Sequence, residues 1–67
     1  MQDVKLDKRF GVIAVEKGFT TSDQLFEALK IQVTEDIEGA PHRLIGEILQ
    51  EQGYMNAAQL KEVVSEL

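Results

Sequence analysis

Catalysis needs reactive side chains in the right company, and this chain offers few. It has one histidine, His42, and no cysteine, which removes thiol nucleophiles, disulfides and thiolate metal sites together. Neither a G-x-S-x-G elbow nor an HExxH pair occurs, so no serine-hydrolase or zinc-protease pattern is present. His42 follows Pro41 at an expected helix start, where an imidazole more often faces solvent than acts as a base or ligand. A metal site would need several ligands to converge in a chain with a single nitrogen ligand. The stretch Thr34-Glu35-Asp36-Ile37-Glu38-Gly39-Ala40 carries three carboxylates, yet it lacks the alternating Asp/Asn ligands and central glycine of a calcium loop. It reads as a solvated linker. The expectation is a protein that is not an enzyme and holds no metal or cofactor of its own.

Binding chemistry is better represented. Lys5, Lys8 and Arg9 fall at helical spacing on one side of the first expected helix, and Arg43 opens the third. A guanidinium holds phosphate or a guanine edge through two parallel bonds, so this cluster is a candidate anion site. The structural alternative is pairing with nearby acids such as Asp3 and Glu16. Gly11 and Gly46 each lie inside a predicted helix, where glycine costs about 1 kcal/mol relative to alanine. Either two helices approach closely there or a ligand meets the backbone, and the spacing favours helix packing.

Charge narrows the class of partner. Seven Lys+Arg against twelve Asp+Glu give a net charge of −5, which opposes long-range attraction to polymeric nucleic acid or anionic membranes. Ala14 through Leu25 imitates a DNA-reading helix-turn-helix, but the reading helix would carry Asp23 and Glu27 with only Lys30 against them. DNA binding is the least favoured function. No apolar run approaches a membrane span and the N-terminus does not read as a signal peptide, so a cytoplasmic location is expected.

These residues must be positioned by a small fold. A chain of 67 residues buries only about 60% of its unfolded surface, a marginal core that tight helices or homo-oligomerisation would assist. Sliding the chain along itself by 35 residues brings seven identities into 24 aligned pairs, among them Gly11/Gly46, Gly18/Gly53 and Leu25/Leu60. Residues 9–32 and 44–67 therefore read as internal repeats within one domain spanning 1–67. Each reads as helix, glycine, helix. Leu6, Phe10, Ile13 and Ala14 make the first stripe, and Leu25, Ala28, Leu29 and Gln32/Val33 the second. Leu44, Ile45, Ile48 and Leu49 make the third, with Pro41 in its first turn, and Leu60, Val63, Val64 and Leu67 the fourth. Thr21 with Gln24, and Asn56 with Gln59, have capping-box spacing, with Met55 and Leu60 as a staple. The predicted helices are 5–17, 22–34, 42–52 and 57–66, and the predicted fold is all-α, a compact four-helix domain of two tandem helix-turn-helix repeats.

The unit Arg9-Phe10-Gly11-x-x-Ala14-x-x-x-Gly18-x₆-Leu25-x₃-Leu29-x₂-Gln32 resembles the repeated motif in the N-terminal regulatory domains of type II secretion and type IV pilus assembly ATPases. Leu44-Ile45-Gly46-x-x-Leu49-x-x-x-Gly53-x₆-Leu60-x₃-Val64 is similar, with Leu44 at the place of Arg9 and Arg43 one position earlier. One branch of that family binds cyclic di-GMP through both motifs, and another docks protein partners. The resemblance implies ligand roles for Arg9, Phe10 and Gly11 and for Ile45 and Gly46, with Lys8 and Arg43 as neighbouring cations. It also implies a bacterial regulatory or adaptor module that binds a protein partner. Phe26, off the Leu25/Leu29 line, and Tyr54 and Met55, at a turn, are the expected interface anchors. A cyclic di-GMP-binding module is the alternative function.

Overall fold

The computed structural model describes the backbone of residues 4–67 and the side chains from Lys8 onward. Lys5 and Leu6 fall outside the described side chains, and Asp3 outside the described residues. Four helices follow one another: α1, Val4–Glu16; α2, Ser22–Ile37; α3, Ile45–Glu51; α4, Ala57–Val64. The fold is all-α.

Glycine ends three of the helices. Gly18, Gly39 and Gly53 take φ of 76°, 79° and 80°, the left-handed region that costs other residues steric strain. After α1 the Phe19 N–H reaches the Ala14 carbonyl at 3.0 Å and the Gly18 N–H that of Val15 at 3.0 Å. This pair of crossed bonds satisfies carbonyls that the helix end leaves open. The same pair recurs 35 residues on, from Tyr54 to Leu49 at 2.9 Å and from Gly53 to Gln50 at 3.0 Å. The capping boxes recur likewise. Gln24 N–H donates to Thr21 Oγ1 at 3.1 Å while Thr21 N–H donates to Gln24 Oε1 at 3.0 Å. In α4 the Asn56–Gln59 bonds are 2.8 and 3.0 Å.

Two predicted boundaries are corrected. α2 runs to Ile37, not 34, so most of the expected linker is helix. Nothing between Thr34 and Glu38 breaks a helix, and the first residue that does is Gly39. α3 begins at Ile45, not 42, leaving Pro41 outside it. Here Glu47 Oε1 accepts from the Leu44 N–H at 2.8 Å, and the buried Gln32 side chain donates to the Arg43 carbonyl at 2.8 Å. Those two bonds fix the approach to α3 in extended form.

The core gathers Phe10, Ala14, Ala28, Ile45, Ile48, Leu49, Met55 and Val63, with Ile13, Phe19, Leu25, Leu29, Ile31, Tyr54 and Leu60 packed around them. α3 is its centre: four of its seven residues are buried, and it meets α1, α2 and α4. The predicted stripes lose members at their edges. Leu44 caps α3 and is half exposed, as are Val33, Val64 and, less so, Leu67. On α2 it is Gln32 that turns inward, where Val33 could not satisfy the Arg43 carbonyl.

Candidate functional site

The residues that the sequence nominates for an anion do not converge on an open surface. Lys8 and Arg9 are exposed on α1, but Phe10 and Gly11 beside them are buried, as are Ile45 and Gly46 on α3. Phe10 is 5% exposed and Ile45 not at all. The glycines face leucines rather than a vacant cleft. A Cβ on Gly11 would stand 2.9 Å from Leu25 Cδ1, and one on Gly46 would stand 2.7 Å from Leu60 Cδ2 and 2.9 Å from Phe10 Cζ. Both glycines therefore serve close packing of neighbouring helices, each against the leucine 14 positions on.

Arg43 is held by carboxylates of its own chain. Its Nε and Nη2 bond Glu35 Oε1 and Oε2 at 3.0 and 2.6 Å, and its Nη1 bonds Glu51 Oε1 at 2.7 Å. The fork ties the segment before α3 to α2 on one side and to the end of α3 on the other. These hydrogen bonds hold the guanidinium well above its ordinary pKa and, from the Arg43 side, hold the Glu35 carboxyl below the usual value of 4.5. A depressed carboxylate stabilises the fold above its unfolded pKa, and that contribution is lost as pH falls through the lowered folded value. Glu35→Gln is thus expected to be less stable than the parent at neutral pH. Urea midpoints measured in a pH series should show the gap closing below about pH 4; a gap that persists in acid would mean that packing, not charge, carries the contact.

Other charges are also placed structurally. Lys17 Nζ bonds Glu62 Oε2 at 3.1 Å and pairs with Glu66, joining the end of α1 to α4. Hydrogen bonds to Glu66 and then Glu62 raise its pKa. His42, expected to be solvated, is partly covered and places Nδ1 3.1 Å from Asp36 Oδ1. No group of three or more His, Asp or Glu side chains is arranged to hold a metal ion among the described residues.

Of the three expected anchors, Phe26 is 62% exposed. Met55 is corrected: it is 4% exposed and belongs to the core, because the residue before an N-cap packs back onto its own helix as a staple. Tyr54 is partly buried against the same core. What sequence reasoning missed is the company Phe26 keeps. Val33 is 53% and Ile37 80% exposed, and with Phe26 they fall at i, i+7 and i+11 on one side of α2. The signal was present in the spacing, but a helix stopped at 34 left Ile37 in the linker and Val33 in the core stripe. Asp23, Glu27, Lys30 and Glu38 border this stripe. A shallow groove of about 310 Å³ runs beside it, lined by Glu27, Lys30, Ile31, Thr34, Glu35 and Glu38.

No family model matches the chain, and neither the curated proteins nor the solved structures supply a match. No helix among the described residues is long and apolar enough to cross a membrane.

Proposed function

We propose that this domain is a non-enzymatic regulatory or adaptor module that works in the cytoplasm by docking a protein partner on the outer face of α2. The supporting observation is the apolar stripe of Phe26, Val33 and Ile37, exposed on a helix whose opposite face already fills the core. Large apolar side chains left in water by a small protein are the usual anchors of an interface. We read the two halves as tandem copies of one helix-turn-helix unit, supported by the caps and glycine ends that recur 35 residues apart. The resemblance to regulatory domains of secretion and pilus ATPases points the same way. The test is capture of partners from native lysate by the full chain, compared with Phe26→Ser. Capture that survives the substitution, or no capture at all, would end the reading.

The cyclic di-GMP alternative draws less support. Phe10, Gly11, Ile45 and Gly46 are enclosed by the chain's own side chains, and Arg43 is held by two carboxylates. Calorimetric titration with the nucleotide is expected to give no heat. Micromolar binding that disappears in Arg9→Ala would restore the nucleotide reading.

A further inference from the structure

We infer that the occupant of the α2 outer face is a cationic amphipathic helix of the partner. Its apolar side lies on Phe26, Val33 and Ile37, and its lysines or arginines lie against Asp23, Glu27 and Glu38. This deepens the docking reading and rests on it.

The shape of the surface selects a helix. Phe26, Lys30, Val33 and Ile37 follow a 4-3-4 spacing, the seam along which helices pack side by side. At a rise of about 1.5 Å per residue the seam is about 16 Å long, which a partner helix of some three turns covers. An extended peptide would need unpaired main-chain groups to bond with, as at the edge of a sheet. The main chain of α2 is consumed within the helix, and its first turn is capped by Thr21 and its end by Glu38 and Gly39. Only side-chain complementarity remains.

Charge selects the sign. Asp23, Glu27 and Glu38 have no ion pair or hydrogen bond from their side chains among the described residues. Glu35 and Asp36, nearer the core side of the same helix, are already engaged by Arg43 and His42. On α2 and its C-cap, the carboxylates left over are those that border the apolar stripe. Glu27 and Glu38 also line the adjoining groove, which has room for a guanidinium or ammonium group. Lys30 is the one cation on this face, and its alkyl stem extends the apolar seam. A second copy of the chain is a poorer occupant. Its acidic edges would face acidic edges, Asp23, Glu27 and Glu38 of one copy against those of the other, which like-charge repulsion disfavours.

The experiment titrates the isotopically labelled full chain with a synthetic amphipathic helix of about four turns. The helix carries leucines on its seam and lysines and arginines on its flanks. A second peptide carries glutamates in place of those cations. The cationic peptide is expected to shift amides of α2 alone. Its affinity should drop about tenfold or more in Phe26→Ser and in the double variant Glu27→Lys with Glu38→Lys, which should now prefer the acidic peptide. All three substitutions are at exposed positions, and an unchanged circular dichroism spectrum confirms that the fold is kept. Equal affinity for both peptides, binding of neither, or shifts centred away from α2 would overturn the inference. So would a dimer in sedimentation that Phe26→Ser dissociates. Lysate capture separates this from the parent reading: a partner lost in Phe26→Ser but retained by the charge-reversed variant leaves docking intact and removes the cationic helix.

Discussion

Gly46→Leu is expected to remove most of the stability of this domain. A 67-residue chain at typical values has about 3–10 kcal/mol in total. The first atom added at Gly46 already meets Leu60 Cδ2 at 2.7 Å and Phe10 Cζ at 2.9 Å. Leu60 ends in a flexible branch, but the Phe10 ring is buried and flanked by core residues, so α3 must move away from α1 and α4. Overpacking of this kind costs about 1–3 kcal/mol, and more when a whole side chain is inserted. Graded variants test the mechanism. Gly46→Ala should lose roughly 1–2 kcal/mol, since its gain in helix propensity offsets only part of the clash. Gly11→Ala should be close to neutral, because only the terminal methyls of Leu25 need to give way. Urea unfolding followed by circular dichroism measures all three. If Gly46→Ala proved as stable as the parent or more so, the space at Gly46 would be open to a ligand and the packing account would be wrong.

Ile48→Ala is expected to destabilise the domain by about 2–5 kcal/mol. Ile48 is wholly buried, in the middle of a helix of seven residues that reaches every other helix. So short a helix does not persist in water alone; it exists because the core surrounds it. The cavity left by Ile48→Ala would therefore loosen all three of its interfaces together. Val64→Ala, at a position 55% exposed, is the control and should fall within about 0.5 kcal/mol of the parent. Fluorescence of Tyr54 and helical circular dichroism should lose signal at one common midpoint in both variants. A separate early loss of the Tyr54 signal would show that α4 detaches before the rest, contrary to a single core.

The helices, their glycine ends and their caps were legible because each is local. Gly18 and Gly53 stop a helix through a backbone angle that few other residues accept, and Thr21 and Asn56 meet their amides within a single turn. The start of α3 was not legible for the opposite reason. Pro41 suits a first turn, but Gln32, eleven residues earlier, holds the Arg43 carbonyl in extended chain. Contacts across that distance leave no periodic trace. The role of Arg43 was hidden in the same way: as a lone cation in an acidic chain it suggests a ligand, whereas the fold brings Glu35 and Glu51 to it. Met55 carried two incompatible readings, a staple with Leu60 and an interface anchor, and its burial fits only the first. The exposed stripe was half visible, with Phe26 singled out and its neighbours Val33 and Ile37 assigned to core and linker. Two separate errors dissolved the pattern: the helix end set at 34 removed Ile37, and the Gln32/Val33 ambiguity in the core stripe removed Val33.

The 35-residue step that carries Gly11 onto Gly46 and Leu25 onto Leu60 carries Phe26 onto Lys61. Inside, the two halves make the same lock between a glycine and a leucine; outside, they present different chemistry. The matched position thus holds an aromatic ring on α2 and an ammonium group on α4. Under the proposed docking, that one exchange is enough for a partner to tell the two halves apart, although the glycine–leucine contacts beneath them are alike.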